Sequence, residues 1–217
     1  MWSWIHHNAT AISAVASVLT LFVWLLYAQL LLMTIKRQRR ARMLINQGIG
    51  DTLESSCLVA NMSHEPMFIQ CLMVVLHFDG AQHVCSITDL YDASKQDTGE
   101  TRPQHQASGL FTHQGPLRSG EFCVISSFQT MLRHAAEDAA SRLECSAEDI
   151  VGKVARFDVT AIINYGPDGY ALGFNRRFRI ANRYERPARV FPETITTTRL
   201  TGRRERRRMA RWLDRMR

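Results

Sequence analysis

Residues 157–181 read FDVTAIINYGPDGYALGFNRRFRIA. Phe157, Val159, Ala161, Ile163 and Tyr165 alternate with Asp158, Thr160, Ile162 and Asn164, the two-residue period of a half-buried strand. Gly166-Pro167-Asp168-Gly169 then offers a proline followed by Asp-Gly, residues that suit a tight turn. Alternation resumes with Tyr170, Leu172, Phe174, Phe178 and Ile180 on one face and Asn175, Arg177 and Arg179 on the other. The stretch predicts a β-hairpin with one apolar face.

Upstream, Pro66 opens a run from Met67 to Phe78 that is apolar on both faces and rich in branched and aromatic residues, as in a central strand. Asp79-Gly80 then turns the chain. The predicted neighbours of this strand are Leu53 to Ala60 before it and His83 to Leu90 after it, with a further strand around Glu121 to Ile125. One segment has the other period. Phe128, Leu132, Ala135, Ala139 and Leu143 recur three or four apart between charged residues, which predicts an amphipathic helix. Ser146, with Asp149 three residues on, resembles the cap of a further short helical turn ending at Gly152. Asp92 to Gly109 lacks apolar periodicity and is expected to be a loop. The predicted class is mainly β with one or two helices, arranged as an immunoglobulin-like β-sandwich over residues 51–198.

Further toward the N-terminus the chemistry changes. Residues 9–35 contain no charged side chain, and Lys36-Arg37-Gln38-Arg39-Arg40-Ala41-Arg42 follows at once. At about 1.5 Å per residue such a helix reaches ~40 Å, enough to cross a hydrocarbon core of roughly 30 Å with some tilt. A cleavable signal peptide carries its positive charge before the apolar core, whereas here it comes after. The expectation is a retained signal-anchor: a short non-cytoplasmic segment at 1–8, a transmembrane helix at 9–35, a basic juxtamembrane linker at 36–50 and the rest in the cytoplasm. The plasma or inner membrane is the expected residence.

Trp2 and Trp4 suit the outer interface. Ala9, Ser13 and Ser17 at four-residue spacing, with Gln29, offer a route to a homodimer through the helix. Five cysteines, at 57, 71, 85, 123 and 145, are an odd set without framework spacing, as expected where thiols stay reduced. The patterns Asn8-Ala9-Thr10 and Asn61-Met62-Ser63 carry no weight as glycosylation signals in that topology.

The net charge of +7 hides a partition: residues 1–50 carry +5, residues 51–198 carry −5 and residues 199–217 carry +7. A high isoelectric point therefore describes the two ends and not the domain. In the C-terminal segment, Met209, Trp212, Leu213 and Met216 fall at helical spacing with arginines around them, which predicts a basic amphipathic helix over 199–217. Lys36, Arg37, Arg39, Arg40 and Arg42, together with Arg203, Arg204, Arg206, Arg207, Arg208, Arg211, Trp212 and Arg215, are the expected membrane-surface residues, binding anionic lipid. The alternatives are arginines that hold nucleic-acid phosphates while Trp212 stacks on bases, and an apolar helix face that packs on the domain.

Catalytic chemistry has no local signature. His83 and Cys85 with His105 and His113 lack the paired short spacing of a zinc site, and no cofactor is implied. His64-Glu65-Pro66 reads as a turn between strands, and Ser126-Ser127 has no nucleophile elbow around it. The expected function is that of a bitopic protein whose cytoplasmic β-domain is a scaffold for an unidentified protein partner, held near anionic lipid. The alternatives are a membrane tether for nucleic acid and a membrane-bound enzyme whose catalytic groups leave no sequence pattern.

Overall fold

A computed structural model of the chain describes residues 8–38, 40–89, 112–143, 145–166, 169–181 and 187–215. Two compact units result, residues 1–40 and 41–217. Among the described residues the first holds one helix, α1 (Ala9–Gln38). Its Ala9–Ile35 part, 27 residues with a mean hydropathy of 2.2, is long and apolar enough to cross a membrane. Its apolar side chains point outward on every side, as a lipid-facing helix requires. The hydroxyl groups of Ser17, Thr20 and Thr34 donate to the carbonyls of Ser13, Ala16 and Leu30 one turn back, so they are satisfied within the helix.

The second unit is mainly β. Its strands are β1 (Met43–Gln47), β2 (Ser56–Asn61), β3 (Met67–Phe78), β4 (Ala81–Ser86), β5 (Gly115–Leu117), β6 (Phe122–Ser127), β7 (Arg156–Tyr165), β8 (Leu172–Ala181), β9 (Arg189–Pro192) and β10 (Thr198–Leu200). Three helices join them: α2 (Phe128–Leu143), α3 (Ala147–Lys153) and α4 (Arg203–Arg215). One sheet has the order β1-β2-β6. The larger has the order β10-β8-β7-β3-β4, with β5 on β3 and β9 on β8. Every strand pairing among the described residues is antiparallel.

The central strand β3 spans the residues expected of it. The hairpin forms as well, Phe157 standing opposite Phe178 and Ile163 opposite Leu172, while Pro167 and Asp168 of its turn lie outside the described residues. So do Leu90, at the end of the expected fourth strand, and the expected loop at 92–109. Both sheets and α2 share one core. Met43, Ile45, Cys57 and Val59 face it from the small sheet, and Leu72, Val74, Phe157, Val159 and Phe174 from the large one. Phe128 of α2 closes it, with ring centroids 5.5 Å from Phe157 and 4.9 Å from Phe178. Ser127 caps α2 by accepting from the Thr130 N–H, which explains a serine that had no catalytic surroundings.

Two expectations are corrected. The basic linker at 36–50 is not one: α1 continues to Gln38, and Met43–Gln47 is a strand paired with Cys57–Asn61. Met43 and Ile45 carry a short alternation that the neighbouring arginines obscure. Ser146 does precede α3, but its side chain makes no capping hydrogen bond, so Glu148 and Asp149 in the first turn are left to favour the helix electrostatically.

Burial also governs the thiols. Cys57, Cys71, Cys85 and Cys123 are free, and desolvation pushes all four above the usual cysteine value, Cys71 and Cys123 to about 12 and Cys85 to about 11. Cys145 alone is exposed. The native chain is therefore expected to take up a thiol reagent rapidly at one position and at five after denaturation; two or more fast equivalents would contradict the packing.

Candidate membrane-facing surface

α4 is a 13-residue helix carrying seven arginines between Arg203 and Arg211 or at Arg215, and its placement decides what they can do. Leu200, at the end of β10, pairs with Gly173 of β8 and delivers the chain to the outer face of the large sheet. Glu205 starts the helix by accepting from the Gly202 N–H at 2.7 Å. Met209 and Trp212 then sink onto a second apolar cluster of Cys71, Met73, Val75, Ile162 and Leu200, with Leu213 at its margin. Met209 is 3% exposed and Trp212 6%. Gly173 permits this approach, because a Cβ there would collide with the Met209 sulfur and crowd Leu200.

Trp212 is thus not a membrane-surface residue. It shares a helix face with Met209, and the protein's own sheet covers that face. The outer row of β3, Cys71, Met73 and Val75, is apolar and needs a cover, which a run apolar on both faces already implied.

With the apolar face occupied, the arginines divide. Arg206 lies over the Tyr170 ring at 3.9 Å and Arg208 over Trp212 at 4.7 Å, so these two help hold the helix down. Arg203, Arg204, Arg207 and Arg211 are exposed. They form no ion pair with the described residues. Arg215 belongs to α4, and only its backbone is described. Among the juxtamembrane residues Arg40 and Arg42 are exposed, Lys36 and Arg37 lie on the last turn of α1 with undescribed side chains, and Arg39 is outside the described residues. The result is a cationic surface on a rigid helix, able to hold phosphate-bearing partners by electrostatics without inserting a side chain.

The other candidates resolve into structure. His83 bonds Asp138 at 2.7 Å, tying β4 to α2. Cys85, buried and with its thiol raised by desolvation and by Asp138, is no nucleophile. His113 makes a backbone bond to Thr88, and His105 is outside the described residues. No group of three or more His, Cys, Asp or Glu is placed to hold a metal among the described residues. Around His64, the buried Asn61 amide donates to the Glu65 and Leu117 carbonyls and accepts from the Ser63 N–H. That network is a turn scaffold.

Two polar clusters escaped sequence reasoning. Arg176 lies in the inward row of β8 between Phe174 and Phe178, where strict alternation puts it, and is 5% exposed. Its guanidinium donates to the Ile45 carbonyl at 2.6 Å, the Asn46 side chain at 2.8 Å and the Thr194 carbonyl at 3.2 Å, clamping β1 to the 193–197 turn. Asp158 is held by Arg177 at 2.7 and 3.1 Å and by His77 at 3.1 Å.

Burial raises the Asp158 carboxyl, but the Arg177 and His77 contacts outweigh it and leave the group below the ordinary 3.8. A depressed carboxylate stabilises the fold above its unfolded value and loses that contribution as pH falls through the folded one. Asp158→Ala is expected to cost about 2 kcal/mol near neutral pH, less than the 3–5 kcal/mol of a fully buried pair because Arg177 is 43% exposed. In urea titrations the gap to wild type should close below pH 4; a gap independent of pH would remove the ion pair from the explanation.

No protein-family model and no curated protein matches the chain. Function therefore rests on the surface just described.

Proposed function

We propose that the chain is a bitopic membrane protein whose β-domain is a cytoplasmic protein-interaction scaffold held against anionic lipid. The observation that carries this reading is the pairing of a 27-residue uncharged helix with exposed arginines at both ends of the domain. The charge step after α1 supports a cytoplasmic domain, because basic residues flank the cytoplasmic end of a span. Anionic lipid on that leaflet attracts basic segments by about 1 kcal/mol per side chain near the surface. Two antiparallel sheets sharing one core support a sandwich of immunoglobulin-like type with α2 added to it, a class that offers edges and loops to partners. Small residues at Ala9, Ser13 and Ser17 and the exposed Gln29 support self-association of the span.

Mild cross-linking in native membranes, with nuclease treatment of half the sample, tests the reading. A defined protein retained in both halves supports the scaffold. Nucleic acid as the main retained species, or a partner lost on nuclease treatment, replaces it with a nucleic-acid tether.

A further inference from the structure

The domain has two poles, and the chain leaves α1 for only one of them. Met43 of β1 stands opposite Asn61 of β2, and the Met62 N–H donates to the Arg42 carbonyl. Asn61 in turn holds the Leu117 carbonyl, and Met67, opposite both Leu117 and Tyr165, begins β3 at the same end. The strand ends at Met43, Asn61, Met67, Leu117, Phe122, Tyr165 and Leu172 therefore form the pole at which the domain is tethered. Arg42 stands four positions after Gln38, the last residue of α1, so this is the pole at which the chain enters the domain.

Of the seven large apolar side chains exposed on the described domain, four cluster there, while Ile49, Leu143 and Ile195 stand singly elsewhere. Met62 (60% exposed), Phe122 (61%), Phe68 (44%) and Tyr170 (43%) all stand at this pole. The row Leu44-Ala60-Phe122 carries no charge on the outward face of the small sheet. Phe68 and Tyr170 wall a shallow groove of about 620 Å³ with Pro66, Pro116 and Asn164. Arg42 and Arg118 are exposed among these residues, and Arg206 covers Tyr170. Among the described residues here, the exposed Glu121 accepts from the Arg118 N–H, Glu205 accepts from the Gly202 N–H, and Glu65 is half-buried. The opposite pole carries Asp51, Asp79, Asp158 and Glu193 in ion pairs with Arg189, Lys153, Arg177 and Arg156.

From this asymmetry we infer that Met62, Phe68, Phe122 and Tyr170 form a rim that inserts into the interfacial layer of an anionic bilayer. Aromatic and methionine side chains among arginines suit the boundary between headgroups and acyl chains, and these stand at the pole where the chain enters the domain. The inference rests on the proposed membrane anchoring and adds hydrophobic contact to it. α4 contributes attraction only, whereas the rim fixes which pole of the domain meets lipid.

Nitroxide labels on the full chain in nanodiscs of mixed phosphatidylcholine and phosphatidylserine provide the test. Cys145→Ser removes the exposed thiol, and Met62→Cys, Phe122→Cys and, on α2, Glu137→Cys carry the label one at a time. Labels at 62 and 122 are expected to lose contact with a water-soluble nickel relaxant and gain contact with oxygen, while the label at 137 keeps its aqueous pattern. Aqueous behaviour at all three positions overturns the rim. Magnetic broadening between copies at 62 and 122 also overturns it, by assigning the rim to a second chain. Release of the full chain from nanodiscs would instead defeat the anchoring itself, a separate result read from co-elution with lipid.

Discussion

Replacing Trp212 with alanine is expected to undock α4 while the rest of the domain stays folded. The indole is 6% exposed and, with Met209, packs in one buried cluster with Cys71, Met73, Val75 and Ile162. Loss of a buried tryptophan costs about 3–5 kcal/mol, and here the cost falls on a terminal helix attached through Thr201 and Gly202. Cys71 reports the event because it lies beneath that helix. At about 1.4 kcal/mol per tenfold, its labelling should accelerate by roughly two orders of magnitude or more, and the native count of fast thiols should rise from one to two. Cys57 and Cys85, in the main core, should stay protected. If all thiols became reactive together, α4 would be integral to the domain; if none did, Trp212 would contribute nothing to docking.

Changing Arg203, Arg204, Arg207 and Arg211 together to glutamine is the second large effect. These four are exposed and form no ion pair with the described residues, so their loss leaves no buried charge unpaired. At about 1 kcal/mol per arginine near an anionic surface, the equilibrium between lipid-bound and free domain should weaken by up to ~10³-fold. Energy transfer from a fluorophore on Cys145 to a headgroup acceptor, measured on the full chain in nanodiscs, reads this equilibrium. Wild type should show more transfer with anionic lipid than with neutral lipid, and the difference should shrink as salt is raised. The quadruple variant should behave on both lipids as wild type does on neutral lipid. Unchanged transfer would remove α4 from lipid binding and leave its arginines for another polyanion.

Both effects depend on a placement that the sequence shows only in part. Strand β3 and the 157–181 hairpin are legible because alternation and continuous apolar runs are local signals. α2 is legible because it keeps one helical period over its length, and α1 because 27 uncharged residues are followed at once by a basic cluster. β1 is hidden because five residues beside an arginine run carry too few apolar positions to stand out. The amphipathic face of α4 is legible, yet the surface that covers it is not. Spacing says that Met209 and Trp212 point the same way, and only tertiary packing shows that β3, more than 130 residues earlier, receives them. Arg176 is the opposite case: the alternation of β8 put it inward, but an arginine in a core row makes sense only once the Ile45 and Thr194 carbonyls are seen to surround it. The pole that gathers Met62, Phe68, Phe122 and Tyr170 comes from strand ends brought together by register, which no local pattern contains.

The exposed Cys145 makes the most direct test of a cytoplasmic domain hung from a single span. Intact cells carrying the chain would be treated with a membrane-impermeant maleimide, then a second portion treated after permeabilisation. The account predicts no labelling of Cys145 in intact cells and full labelling once the membrane is opened; labelling in intact cells would place the domain outside and contradict it.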